Sequence, residues 1–509
     1  MAEEPRSRST LMSRSQPSRG VALTALVIAL SLAVPADGFA QVRPFNPGPN
    51  VTSGARLPPP VIVGPPNTTA YGPVVIDNLD QYRLQLLNGR VGRCSTLTER
   101  RLHFFCNPAR HARRTMQIQT NQLAQRGGFN PPPAGETRFV PDEVLLRMSP
   151  GIAPGTLDAF GRLHHLSRVE SQDFALTRHR LVRWRINDGR SVFAVIRSLH
   201  DPRILAAQPN YLYALQEDAP AVAKPDAKPE QPDAAQYAVA KLHLTEAHAI
   251  AKGENVLVAL IDTPVDATHP DLAGVITATF DATGEAGKPR PHGTSMAGAI
   301  AAHGRLIGSA PSVKLLSVVA FGVARTQGTS FNILKGLQWA ADQNANVVNM
   351  SFAGPADPEL QTMLAAARAK GIVLIAAAGN AGPRSPPLYP GADPNVIAVT
   401  ATDIDDKLFD HANRGSYIAV AAPGVDILVA APDGGYQTTS GTSVAAAEVS
   451  GIAALMIERD RKLDPASLRQ LLTSTAHALG PRDQFGAGLI DALGALTAQA
   501  AGLPRASKP

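Results

Sequence analysis

An aspartate, a histidine, an asparagine and a serine stand far apart in this 509-residue sequence, each beside an apolar run. Asp262 follows VLVALI, His292 opens PHGTSMAGAIAA, Asn380 follows GIVLIAAAG, and Ser443 lies in SGTSVAAAEVSG. Together these side chains supply what acyl transfer needs. A serine hydroxyl is a weak nucleophile until a base takes its proton. Imidazole titrates near neutral pH and suits that task. A carboxylate on the ring's other nitrogen holds the tautomer and stabilises the imidazolium. The tetrahedral intermediate carries an oxyanion, for which the Asn380 amide and the Ser443 backbone N–H are candidate donors, helped by the amino end of a helix. Singly, each residue has an ordinary structural role. Asp262 and Asn380 suit turns, His292 suits a helix entry, and Thr442 or Ser443 suits a hydroxyl N-cap. It is the set that points to chemistry.

The elements around them predict how the set could converge. From Gln236 to about Ala500, strand-length apolar runs (VLVALI, VKLLSVVAF, NVVNMSF, GIVLIAAA, NVIAVTA) alternate with helix-length stretches such as GTSFNILKGLQWAADQN and PELQTMLAAARAK. Runs that are apolar throughout suit strands buried on both faces of a parallel sheet. Their alternation with helices predicts a doubly wound α/β domain, a mostly parallel sheet flanked by helices. Ligands of such sheets bind beyond the carboxyl ends of the strands. Asp262, Asn380 and the Ser351–Ala353 stretch all fall at such ends.

The blocks ALIDTPVDATHPDL, HGTSMAGAIAA, AAAGN and SGTSVAAAEVSG, in that order, resemble the subtilisin family of serine peptidases. The order Asp, His, Ser is the one recorded for subtilisin itself. The resemblance covers about Gln236 to Ala500, including FGAGLIDALGAL. It implies an endopeptidase that hydrolyses peptide bonds through an acyl-enzyme, with Asp262, His292 and Ser443 as catalytic residues and Asn380 at the oxyanion. It also implies a substrate wall of Ser351, Phe352, Ala353 and Gly354, against which a peptide adds as a β-strand. Peptides and proteins are the implied substrates, and no cofactor is implied. The sequence departs from the family pattern at several flanks. Pro264 stands where glycine is usual, Ser295 where histidine is, Val444 where methionine is, and Ala447-Glu448 where Pro-His is. These departures motivate an alternative, a catalytically silent subtilisin-like binding or scaffold protein. The methyl of Ala353, where the family has glycine, is expected to narrow the primary pocket toward small side chains. A charged Glu448 in an apolar helix is costly unless it reaches water or a cation. Calcium prefers carboxylate-rich oxygen sets. AAHGRLIGSAPS, after the histidine helix, has no carboxylate, so no metal site is expected there.

The remainder divides into five further segments. Residues 1–40 read as a signal peptide: Arg6, Arg8, Arg14 and Arg19 precede an apolar Val21–Val34, and Gly38 and Ala40 suit a cleavage site. Export to a periplasm or beyond the cell follows, with no stable membrane anchor after signal removal. Residues 41–135 are Pro-rich and basic. Much of the chain's net charge of +6 sits there, on Arg93, Arg100, Arg101, Arg110, Arg113, Arg114 and Arg126. A solvated surface is the reading preferred over a surface-binding module, and no nucleic-acid partner is expected. Cys94 and Cys106 could pair in an oxidising compartment. Residues 136–216 order as strand, helix, strand, strand, helix, strand, a split ferredoxin-like α+β unit. This unit resembles the inhibitory propeptide of the same family. The resemblance implies that it blocks the cleft as an intramolecular inhibitor, with Tyr211 to Gln216 in the substrate groove and self-cleavage between Ala214 and Ala235. Residues 217–235 read as a linker and 501–509 as a tail.

Overall fold

Alternating and continuous apolar patterns mark out the strands of two domains. The computed structural model describes residues 128–215, 236–285, 287–322 and 327–502. The expectations for the signal segment, for 41–127 with its two cysteines, for 216–235 and for 503–509 lie outside the described residues.

The smaller domain is built from β1 (Phe139–Met148), α1 (Pro154–His164), β2 (Leu166–Phe174), β3 (His179–Ile186), α2 (Val192–Ser198) and β4 (Ile204–Leu215). Its strands pair antiparallel in the order β4-β1-β3-β2, the split arrangement expected from the sequence. In β3, HRLVRWRI, Leu181, Val182, Trp184 and Ile186 are buried. Val182, Trp184 and Ile186 join Leu157 and Phe160 of α1 and Val195 and Ile196 of α2 in one apolar core. His165 adopts the left-handed conformation with φ 56°, closing α1, so Leu166 starts β2.

The larger domain holds seven parallel strands: β5 (Leu257–Asp262), β6 (Ile276–Asp281), β7 (Lys314–Val319), β9 (Val347–Met350), β11 (Val373–Ala377), β12 (Ile397–Thr402) and β13 (Ile418–Pro423). Two short strands, β8 (Gln327–Thr329) and β10 (Phe352–Ala353), stay outside that sheet, and β14 (Ile427–Ala431) and β15 (Gly435–Thr439) form a hairpin. The sheet order is β13-β12-β11-β9-β5-β7-β6. The order in which strands are added therefore reverses between β5 and β9, the switch point where ligands bind in open α/β sheets.

Alternation along β5 explains the two layers. Val258 and Leu260 face one apolar core with α3 (Pro291–Ala301) and α6 (Thr442–Arg459). Ala259 and Ile261 face the other, with α4 (Ser330–Asp342) and α5 (Pro358–Ala369). β6, β13 and the β14–β15 hairpin were not among the strands read from the sequence. β6, ITATFD, is half-exposed at a sheet edge and lacks the continuous apolar run of the central strands.

Candidate active site

Asp262 is the last residue of β5 and is fully buried. The Thr263 N–H donates to its Oδ1 at 2.7 Å, which fixes the carboxylate plane. His292 sits in the first turn of α3, one residue after Pro291. Its Nδ1 lies 2.7 Å and 2.9 Å from the two Asp262 oxygens. The next residue explains how the helix comes so close. A Cβ on Gly293 would lie 2.3 Å from the Thr263 carbonyl oxygen, so only glycine fits. Instead the Gly293 N–H donates to Thr263 Oγ1 at 2.9 Å. Acid and imidazole are both about 1 % exposed or less, so their pairing acts in a low-dielectric site.

Ser443 lies in the first turn of α6, 1 % exposed. Its Oγ donates to the Ser351 carbonyl at 3.1 Å, and Ser351 Oγ donates back to the Ser443 carbonyl at 3.0 Å. Behind them Asn349 Nδ2 donates to Ser351 Oγ at 2.9 Å, and Ser450 Oγ donates to Asn349 Oδ1 at 2.9 Å, so β9 and α6 are tied together. The N-cap of α6 is Gly441, and neither hydroxyl caps it, contrary to the sequence reading. Thr442 is committed elsewhere. Its N–H and Oγ1 donate to Asn380 Oδ1 at 3.1 Å and 2.7 Å, and its Oγ1 accepts the Gly379 N–H at 3.1 Å. With Oδ1 held by Thr442, the Asn380 carboxamide has a fixed sense: oxygen toward Thr442, N–H₂ on its other side.

The wall residues form an edge. β10 pairs antiparallel with the end of β4, Phe352 opposite Leu215 and Ala353 opposite Ala214. β8 takes the other side of the same stretch, Leu212 opposite Thr329, Tyr213 opposite Gly328 and Ala214 opposite Gln327. The small domain's last residues are thus a middle strand between two edges of the large domain. Gly354 continues the wall, exchanging backbone hydrogen bonds with Tyr389 at 2.7 Å and 3.0 Å. Tyr213 enters the large domain's core edge-on to Phe352, ring centroids 5.7 Å apart, and its hydroxyl donates to the Pro355 carbonyl at 3.3 Å.

Further contacts that the sequence did not reveal hold the two domains together. Asp357 caps α5 through the Glu359 and Leu360 N–H groups, and accepts from Gln208 Nε2 at 2.7 Å and from Ser330 Oγ. Asn210 Oδ1 accepts the Phe331 N–H in the first turn of α4 at 3.2 Å. Arg147 grips Glu359 with two parallel bonds, 3.0 Å and 2.8 Å. Burial raises both Asp357 and Glu359 above the ordinary carboxylate range. The Asp357-Pro358 pair is a legible cap signal. Its partners on a separate domain carry no local signature. Among the described residues no group of three or more His, Cys, Asp or Glu could hold a metal ion, and no helix is long and apolar enough to cross a membrane.

Comparison with known proteins agrees with this geometry. The profile of the subtilase family matches residues 253–488. Subtilisin DY of Bacillus licheniformis is 36 % identical over 249 residues, spanning 47 % of this chain and 90 % of its own length. Thermitase of Thermoactinomyces vulgaris is 35 % identical over 249 residues, 47 % of this chain and 88 % of its own length. The crystal structure of fervidolysin from Fervidobacterium pennivorans, a keratinolytic enzyme related to subtilisin, matches with a TM-score of 0.61 at 25 % identity. That match covers 72 % of this chain and 62 % of fervidolysin. A 36 % identity that spans nine-tenths of a subtilisin, with the same doubly wound sheet, leads to one conclusion: this chain belongs to the subtilase family of serine endopeptidases.

Proposed function

We propose that this chain is an exported serine endopeptidase made as a self-inhibited precursor, with Asp262, His292 and Ser443 as its triad. The observation that carries the reading is the seat of β4. A peptide strand already lies between β8 and β10, paired as far as Leu215 opposite Phe352, and the next wall residue, Ser351, touches Ser443. In this reading residues 136–216 are the inhibitor, 217–235 the linker that is cut, and 236–500 the catalytic domain. The signal read at 1–40 delivers the precursor out of the cytoplasm, to a periplasm or the medium.

The chemistry follows from the placements. Nδ1 of His292 engages Asp262, so Nε2 is the base that takes the Ser443 proton as Oγ adds to the substrate carbonyl carbon. The Asn380 N–H₂ and the Ser443 N–H receive the oxyanion. The C–N bond then breaks, the amine leaves with the proton from the imidazolium, and water hydrolyses the acyl-enzyme by the same steps. A fluorophosphonate tests this reading. The processed protein is expected to take one adduct, mapped by mass spectrometry to Ser443. Correctly processed protein that takes none would favour the silent scaffold.

Two further outcomes are expected. Tyr213 fills a core pocket, and truncating a buried aromatic typically costs about 3–5 kcal/mol. Tyr213→Ala should therefore loosen the inhibitory strand by at least about tenfold, seen in progress curves of the full chain as a shorter lag before full activity. Ala353 should restrict the primary pocket to small side chains. A peptide library should be cleaved best after small residues, and Ala353→Gly should raise kcat/KM for aromatic residues about tenfold, the scale of one methylene in a pocket. A library cut best after aromatics by the unaltered enzyme would contradict the pocket assignment.

A further inference from the structure

The family-atypical carboxylate of Glu448 lies in α6, the helix that begins at Ser443, and is 5 % exposed. Among the described residues its side chain has one hydrogen-bond partner, the hydroxyl of Ser309. Ser309 is in turn bound to the end of α3, the helix that carries His292. Its N–H donates to the Ala299 carbonyl at 2.9 Å, its Oγ lies 3.3 Å from the same oxygen, and the Ala310 N–H donates to the Ile300 carbonyl at 2.7 Å. Gly451, on the same helix, permits the approach: a Cβ there would lie 2.5 Å from Ser309 Cβ.

We infer that Glu448, as a neutral carboxylic acid, is a positioning residue that links the Ser443 helix to the His292 helix through Ser309. The inference rests on the triad reading above. A serine hydroxyl has one proton to give. An ionised Glu448 takes that proton and withdraws it from Ala299. A neutral Glu448 donates its own proton to Ser309 Oγ, and Ser309 donates onward to Ala299, so both bonds are made at once. The surroundings favour the neutral form. Among the described residues no Lys, Arg or His pairs with Glu448. The titratable group that reaches it is Tyr237, whose phenol burial holds above its ordinary value; nearby His248, which burial pushes down, turns its Nε2 to the Ser309 carbonyl at 3.1 Å. Neither supplies a counter-charge at neutral pH. Burial accordingly lifts Glu448 to about 7, against a weaker downward pull from the Ser309 hydrogen bond. A folded-state value raised this way gives stability that is complete below the ordinary carboxylate range and is lost as pH rises through about 7.

The test compares the processed wild-type enzyme with Glu448→Gln, measuring kcat, KM and thermal midpoint from pH 5 to 9. The wild-type kcat is expected to rise through the acid range and to fall above pH about 7, with KM little changed. In Glu448→Gln, whose amide donates to Ser309 at every pH, the rise stays and the fall disappears. The ratio of variant to wild-type kcat should grow several-fold across neutrality. The midpoint of the variant should gain on wild type between about pH 5 and 7 and hold its lead above. Identical profiles for kcat and midpoint overturn the inference. If the glutamine variant does not fold, Ser309→Ala serves: without the hydroxyl the link is absent at every pH, so kcat should be several-fold lower below pH 7 and the fall above pH about 7 should disappear. A fall that persists overturns it equally. Fluorophosphonate labelling of wild type at pH 6 keeps the two readings apart: no labelling defeats the triad, whereas labelling with unchanged profiles defeats only the role of Glu448.

Discussion

Ser443→Ala is expected to yield a folded precursor that cleaves neither added peptides nor itself. The hydroxyl's bond to the Ser351 carbonyl contributes about 1 kcal/mol, a small part of the stability of a domain this size. The chemical loss is of another order. Removing the corresponding serine from a subtilisin lowers kcat about 10⁶-fold, a magnitude belonging to that relative and expected here because the same roles are filled. The measurements are steady-state hydrolysis of a chromogenic peptide and gel analysis of the purified precursor over time. In the wild type, amino-terminal sequencing should place the new terminus shortly after Leu215, because pairing runs through Leu215 and the next wall residue contacts Ser443. A Ser443→Ala chain cut at that same place in a purified system would refute self-processing.

Asn380→Leu should lower kcat by about 10²–10³, or roughly 3–4 kcal/mol, with KM nearly unchanged. That scale again comes from the oxyanion-hole asparagine of a subtilisin. The side chain also has a structural task, since its oxygen accepts two bonds from Thr442 at the start of the Ser443 helix. Asn380→Leu therefore sacrifices stability as well as catalysis, and one variant does not apportion the loss. Asn380→Asp does. It keeps an oxygen for Thr442 while replacing the N–H₂ donor by negative charge facing the developing oxyanion. Its thermal midpoint should exceed that of Asn380→Leu, while its kcat should fall at least as far. A kcat that tracks the midpoint across the two variants would reassign Asn380 to scaffolding.

Much of this site was legible before any coordinates, for reasons visible in individual residues. Asp262 and the Ser351 stretch end runs such as VLVALI and NVVNMSF, and their apolar continuity fixes parallel strands with their carboxyl ends on one edge. Other features were not legible. The hydroxyls of Thr442 and Ser443 have the local form of an N-cap, yet Thr442 instead orients Asn380, a partner 62 positions away in the chain. Glu448 read as an unpaired liability because its hydroxyl partner, Ser309, lies 139 positions away.

By itself the sequence determined the fold class, the strand and helix order of the smaller domain, the strand–helix alternation of the larger one and the candidate residues for acyl transfer. Periodicity and local residue chemistry are enough for these, because each depends on neighbours along the chain. Only the tertiary structure decided the contacts that join distant segments. It set Nδ1 of His292 at 2.7 Å from Asp262, turned the Asn380 oxygen toward Thr442, seated β4 between β8 and β10, and linked Arg147 to Glu359. Those contacts depend on how the layers pack around the switch point between β5 and β9, and packing across long chain separations leaves no periodic trace in the amino-acid order.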